Sequence, residues 1–151
     1  MEISAKGDYA VRALAVLAVS GGEPMTVAEL AQAQGIPAAF LQGILRRLRQ
    51  RGLVTSHRGT EGGYRLARPP AQITVADVLR AIDGPLAAVR GQPTEEIEYA
   101  GAARGLKDVW MALRASMRRV IEHVTLEDIA VGPLPGCVSE LNSGPGAWTS
   151  G

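Results

Sequence analysis

GIPAAFLQGILRRLRQRGLVTSHRGTEGGYRLARP, residues 35–69, is the stretch that decides the fold. Pro37 suits the first turn of a helix, because its fixed φ fits there and the missing N–H would have had no intrahelical partner. Phe40, Leu41, Ile44, Leu45 and Leu48 then recur at helical spacing as an inward stripe, and Gly52 supplies the left-handed residue that ends such a helix. Leu53-Val54, a turn containing Gly59, Gly62 and Gly63, and a return strand Tyr64-Arg65-Leu66 read as a hairpin, broken by Pro69-Pro70. Between Ile44 and Arg68 lie seven arginines (46, 47, 49, 51, 58, 65 and 68) against one acid, Glu61, a local excess of seven minus one, or +6. A groove-sized helix followed by a cationic loop that reaches the neighbouring minor groove or backbone is what a winged helix on duplex DNA requires.

Outward from that stretch, the pattern completes a domain. Ile3, Ala5, Tyr9, Ala10, Ala13, Leu14, Val16, Leu17 and Ala18 recur helically, with Lys6, Asp8 and Arg12 on the other side, and Gly21-Gly22 and Pro24 end that helix. Thr26 with Glu29 three residues on predicts a capping box opening a short helix, TVAELAQAQ, that stops at Gly35. The tight Gly35-Ile36-Pro37 connection makes the pair a helix–turn–helix. After the hairpin, Ile73-Thr74 lead into VADVLRAIDG with Val75, Val78, Leu79 and Ile82 inward, closed by Gly84-Pro85.

Residues 86–101 read as a long connection with an acidic patch at Glu95, Glu96 and Glu98. The longest periodic segment, about Ala102 to Val124, places Leu106, Trp110, Leu113, Met117, Val120 and Val124 at steps of 4, 3, 4, 3 and 4, a heptad-like seam. A stripe of this length, appended to a domain that already has a core, is expected to bury itself against a second copy, and these six residues are the expected dimerisation set. Thr125 can cap a last short turn, LEDIA, and from Gly132 the composition of Gly, Pro, Ser and Asn reads as a flexible tail. The expected fold is mainly α with a small β-hairpin wing. Its expected organisation is a winged helix–turn–helix domain over 1–84, a connecting segment over 85–101, a dimerisation helix and terminal turn over 102–131, and the tail over 132–151.

Composition bounds the function. The 151 residues are 46% hydrophobic but only 4% aromatic, so alanine, leucine and valine must fill most of the core. The net charge of +1 hides an asymmetry: residues 1–83 carry ten Lys/Arg and seven Asp/Glu, while residues 84–151 carry six and eight. Local field, not overall charge, steers binding to phosphates. A single cysteine, Cys137, excludes an intramolecular disulfide and fits a reducing cytosol. The apolar stretch near the N-terminus is short and interrupted by Asp8 and Arg12, unlike a signal peptide, and no run of 18 apolar residues occurs. A cytoplasmic protein without a membrane association is expected.

KGDYAVRAL, AELAQAQGIP, LRRLRQRGLV and above all RGTEGGYRLARPPAQITVADVLRAIDG make the chain similar to the IscR/NsrR-type winged helix–turn–helix transcriptional regulators of bacteria, over Met1 to about Ile129. The resemblance implies a homodimer whose long helices cross, presenting two recognition helices and two wings to a roughly palindromic operator in double-stranded DNA. It places the recognition positions on Ala38, Ala39, Phe40, Gln42 and Gly43, and the minor-groove arginine on Arg58 beside Gly59. Thr26, Arg46, Arg47 and Arg65 complete the expected DNA-binding set. Some relatives carry Ser, Tyr and Glu-Gln where this chain has Ala39, Phe40 and Gln42-Gly43, so only Gln42 can make a bidentate base contact. Arg58 and DNA shape then carry more of the specificity. Many members hold an iron–sulfur cluster through three cysteines before the long helix; residues 84–105 contain none, and a lone Asp8 cannot replace them. No cofactor and no metal site are expected.

Blander readings stand beside these. The arginines of the third helix could be a solvated face that favours the helix dipole; the adjoining wing tips the balance to DNA. His57, beside the wing tip, suits phosphate contact or simple exposure, and His123 suits a helix C-terminus. Cys137 has no basic neighbour to lower its pKa and reads as an incidental thiol ahead of a redox sensor. Trp110 reads as seam, while Trp148 has no assigned role. The chain has no Walker loop, dinucleotide fingerprint or ordered nucleophile–base set, so an enzyme is not expected. The principal expectation is a sequence-specific regulator, a repressor, answering to an unidentified small-molecule or protein effector or to a thiol change. The cleft between the 86–101 connection and the long helix is the first place expected to hold that effector. The alternative is a winged-helix interaction module that does not read DNA specifically and uses its seam and acidic patch for protein partners.

Overall fold

The computed structural model describes residues 3–60 and 62–149. Among them are seven α-helices and one two-stranded sheet: α1 Ala5–Ala18, α2 Val27–Gln34, α3 Ala38–Gln50, β1 Val54–His57, β2 Gly63–Leu66, α4 Val75–Asp83, α5 Leu106–Ile121, α6 Leu126–Ala130 and α7 Gly136–Asn142. The fold class is as expected, mainly helical with a β-hairpin wing.

Local chemistry sets most boundaries. The Thr26 hydroxyl accepts from the Glu29 N–H (3.2 Å) while the Glu29 carboxylate accepts from the Thr26 N–H (2.7 Å), the reciprocal box that opens α2. Gly35, at φ 62°, ends it. Two further boxes of the same kind open α4 (Thr74 with Asp77) and α6 (Thr125 with Asp128). In the wing, β1 and β2 are antiparallel with Val54 opposite Leu66 and His57 opposite Gly63. Met25 adds a bridge to the outer edge of β2, exchanging backbone hydrogen bonds with Tyr64 at 2.9 and 2.7 Å. That approach explains Gly63: a Cβ there would stand 2.5 Å from the Met25 carbonyl carbon.

Leu14 of α1, Leu30 of α2, and Leu41, Leu45 and Leu48 of α3 are fully buried, joined by Val54, Ile73, Val78 and, from α6, Leu126. Burying each leucine contributes about 1.5–3 kcal/mol. Leu126 is therefore part of the winged-helix core and not of a separate C-terminal unit, so a boundary at residue 84 does not coincide with the packing. The chain returns to the core through a bridge between Thr74 and Thr125, with the Val75 N–H donating to the Val124 carbonyl (2.9 Å) and the Leu126 N–H to the Ile73 carbonyl (2.9 Å).

This return shortens the long helix. It spans Leu106–Ile121 and not Ala102–Val124, because a 3₁₀ turn at Gly101–Ala103 precedes it and Val124 leaves the helix to enter the core at 6% exposure. Val124 is thus no part of the exposed seam. The preceding connection is ordered along α5: Trp110 Nε1 donates to the Tyr99 hydroxyl (3.1 Å), and Lys107 and Arg114 pair with Glu98 and Glu95. The tail also differs from expectation. Gly136–Asn142 forms α7 beside α5, with Arg119 of α5 3.3 Å from Glu140. None of its seven residues is buried; Val138 is half-covered and the exposed Arg119–Glu140 pair is its one ion pair to α5 among the described residues. Among the described residues no helix is long and apolar enough to cross a membrane.

Candidate nucleic-acid interface

Helix α3 divides into two faces. Leu41, Ile44, Leu45 and Leu48 are buried, whereas Ala38, Ala39, Phe40, Gln42, Gly43, Arg46, Arg47 and Arg49 are exposed. Phe40 is the one member of the expected inward stripe that the fold leaves out, at 44% exposure. Its ring meets Tyr9 of α1 edge-on, with centroids 5.8 Å apart, and the Arg12 guanidinium lies 5.4 Å from the Tyr9 centroid on the same cluster. Arg12 also bonds the side chain and carbonyl of Gln34, tying α1 to the end of α2. Phe40 therefore steadies the start of α3 at its surface.

That start is an open helix terminus. The N–H groups of Phe40 and Leu41 both reach the Pro37 carbonyl (3.0 Å each), and no side chain caps the helix. The Ala38 and Ala39 N–H groups are left pointing outward at the positive end of the dipole, an arrangement that favours anions. Gly43 sits mid-helix on the same face, and a Cβ there would meet nothing within 4 Å. The missing side chain serves no internal packing.

The arginines are not equivalent. Arg46 is exposed with no recorded partner among the described residues. Arg47 donates through Nε to the Ala81 carbonyl of α4 (2.9 Å), and Arg49 donates to the Ser56 hydroxyl of β1 (2.9 Å). Two residues along a helix is about 200° of rotation, so α4 and the wing are anchored on opposite flanks of α3. On the α4 flank, Lys6, Arg47, Phe40 and Ile82 line an open pocket of ≈ 370 Å³.

At the wing, Arg58 and Gly59 lie exposed at the tip; Glu61 falls outside the described residues. Gly62 makes the turn, since a Cβ would stand 2.6 Å from the His57 carbonyl oxygen. Between the wing and the α1–α2 turn lies a polar recess of ≈ 590 Å³ lined by Glu23, Thr26, Glu29, His57, Arg58 and Arg65. Arg65 is half-buried, and its Nε has no hydrogen-bond partner among the described residues. Glu29 is held below the usual carboxylate range by the Thr26 N–H and then by the Thr26 hydroxyl. The Thr26 hydroxyl donates a hydrogen bond to that carboxylate (2.9 Å), so in this structure it serves as the cap that orients α2. The two acids moderate the positive charge at the wing base, an effect the count over residues 44–68 omits.

Sequence reasoning missed Lys6 beside Arg47, the Arg49–Ser56 tie and the Met25 strand bridge. Lys6 had a signal, a cation in the first turn of α1 on its polar side. The other contacts depend on tertiary placement alone.

The sequence profile of the Rrf2 family, described as an iron-dependent transcriptional regulator, matches residues 3–132. A candidate HTH-type transcriptional regulator of Mycobacterium tuberculosis is 54% identical over 142 residues, covering 93% of this chain and 88% of that protein. The solved structure of CymR, the global cysteine regulator of Bacillus subtilis, superposes with a TM-score of 0.74 at 31% identity, covering 86% of this chain and 96% of that one. IscR of T. potens gives a TM-score of 0.69 at 33% identity, over 85% of each chain. The chain belongs to the Rrf2 family of helix–turn–helix transcriptional regulators.

Proposed function

We propose that this protein is a cytoplasmic, homodimeric repressor that binds a palindromic operator without an iron–sulfur cluster. The observation that carries the reading is the outer face of α3, where Ala38, Ala39, Gln42, Gly43 and Arg46 are exposed next to a wing that ends in an exposed Arg58. In this reading Ala38, Ala39, Gln42, Gly43 and Arg46 enter the major groove. Arg58 and Gly59 reach the minor groove, while Arg47 and Arg65 meet the backbone. Gln42 supplies a bidentate base contact with adenine as its natural partner, and Arg46 can supply a second, to guanine. Repression follows most simply, because a dimer seated on an operator excludes polymerase by its bulk and needs no further contact.

The dimer is supported by α5, whose 16 residues include none that is buried, although it carries Leu106, Trp110, Leu113, Met117 and Val120. A second copy covering this face would set two recognition helices about 34–36 Å apart, one turn of the duplex. An effector would act by favouring one dimer geometry over another.

The family's description implies iron, and the donor set of this chain does not fit it. Cluster iron is held chiefly by thiolates. The chain has one cysteine, Cys137, which lies in α7, and no group of three or more His, Cys, Asp or Glu is placed to hold a metal among the described residues. The alternative of a pure interaction module is disfavoured, since two of the three patch acids, Glu95 and Glu98, are already paired with α5.

Selection of bound fragments from a genomic library tests the proposal. It should return a palindromic site, and Arg58→Ala should weaken its binding by about 1–3 kcal/mol. No enrichment over bulk competitor, or stoichiometric iron in anaerobically purified protein, would overturn it.

A further inference from the structure

We propose that Lys6 and Arg47 form a cradle for one phosphate of the DNA backbone, on the flank of α3 opposite the wing. The cradle is the ≈ 370 Å³ pocket beside α3, and no acid lines it. Its floor is apolar, from Phe40, Ile44 and Ile82, and its cations are Lys6 from the first turn of α1 and Arg47 from α3. Neither cation has a carboxylate partner among the described residues; the nearby Asp83 carboxylate accepts from the Ser4 hydroxyl, at 2.7 and 2.9 Å from its two oxygens, and lies outside the pocket lining. The Nε bond to Ala81 holds Arg47 in place and leaves its two terminal nitrogens without a recorded partner, so little side-chain freedom remains to be lost on binding.

The chemistry matches a sugar–phosphate unit: deoxyribose carbons lie on the apolar floor and phosphate oxygens meet the ammonium and guanidinium groups. The position matches as well. A helix about 10–12 Å across fills a major groove about 12 Å wide, which brings a backbone strand along each flank. The wing, anchored through Arg49 and Ser56, attends one flank. The pocket shares Ala39 and Gly43 with the outer face of α3 and lies on the other. A charged cradle there fixes the depth and angle of α3, which compensates for a recognition surface with few base-reading side chains.

This inference rests on the DNA-binding reading, and the test separates the two. Because phosphate contacts are independent of sequence, sheared genomic duplex serves as the probe, titrated between about 50 and 200 mM salt. Lys6→Gln, a change at an exposed site, should weaken binding at low salt by about tenfold. The double variant with Arg47→Gln should flatten the log–log salt slope by about 0.9, the value of one shared phosphate. Wild-type affinity in Lys6→Gln, or a loss near twice 0.9 in the double variant, overturns the cradle. Arg47→Gln also removes the Ala81 bond, so Lys6→Glu, which leaves that bond intact, is measured alongside and should bind more weakly than Lys6→Gln; equal binding also overturns the cradle. If the wild-type protein itself shows no salt-dependent duplex binding, the broader reading fails with it. A fall in Arg58→Ala alone would leave the broader reading standing and the cradle refuted.

Discussion

Helices α4 and α5 carry similar amphipathic patterns and meet opposite fates. In α4, Ala76, Val78, Leu79, Ala81 and Ile82 are buried among the nine residues Val75–Asp83. In α5 no residue of 16 is buried, and Val109 and Leu113 remain 56% and 39% exposed. Periodicity states that a helix has a stripe to bury; it does not state against what. The first stripe is covered by α1 and α3. The second is fastened by ion pairs, Arg80–Glu122, Lys107–Glu98 and Arg114–Glu95, and by the Trp110–Tyr99 hydrogen bond, which half-cover its stripe and leave Val109 and Leu113 exposed.

The largest effect that probes this difference lies in α4. Ile82 is 4% exposed and packs in the main core. Ile82→Ala should lower unfolding free energy by about 2–5 kcal/mol, by lost transfer and a residual cavity. Denaturant melts would register this at any protein concentration. Leu113→Asp in α5 should leave the fold of the monomer near wild type and raise the dimer dissociation constant by roughly 100-fold, since a carboxylate would enter an apolar seam. Sedimentation across a concentration series measures it. If dimer affinity were unchanged, the α5 face would not be the interface and the contrast between the helices would lose its meaning.

What could be read in advance divides along the same line. The Thr26–Glu29 box, the Gly35 and Gly52 stops and the glycine hairpin are local, and each is decided by residues within a few positions of one another. The winged helix could be read from the chain because those local signals came in one order. The placement of Leu126 and Val124 was not legible, because it depends on the chain folding back to bridge Thr74, some 50 residues away. Helix α7 was hidden by the composition around it, since Pro and Gly flank a short run that can still form two turns. Phe40 fits the apolar period of α3 and yet lies outside, because Tyr9 meets its ring at the surface. At the candidate site the outward positions of α3 and the tip arginine were expected from the family resemblance, and the pattern alone placed Phe40 inward. The pairing of Lys6 with Arg47 followed from neither, as it joins residues 41 apart in sequence.

Helix α3 extends the comparison, since its outer face is uncovered as α5's is, and the proposed function gives it duplex DNA and not a second copy as its partner. Gly43 marks the difference: nothing in the fold requires it. Gly43→Ala should stabilise the protein by about 0.5–1 kcal/mol, the helix-interior penalty of glycine. The same methyl should weaken duplex binding if the backbone or bases come close at this point. Thermal melting and duplex titration of one variant therefore move in opposite directions. A variant that is more stable and binds equally well would show that Gly43 faces open solvent even in the complex.

The smallest effect lies where the two compared helices meet. Glu122, at the end of α5, accepts from Arg80 of α4 and from Arg118 (2.9 Å), and these hydrogen bonds, Arg80's first, hold its carboxyl below the ordinary value of 4.5. A carboxylate depressed by folding stabilises the fold at pH above its unfolded value. That contribution disappears as pH falls through the lower, folded value. The wild type should therefore exceed Glu122→Gln in stability at neutral pH, and the two should converge below about pH 4.5. Salt should narrow the gap, because the pair is partly solvated. A gap that persisted undiminished in acid would mean that Glu122 acts through packing, and that α5 is held to α4 by shape and not by charge.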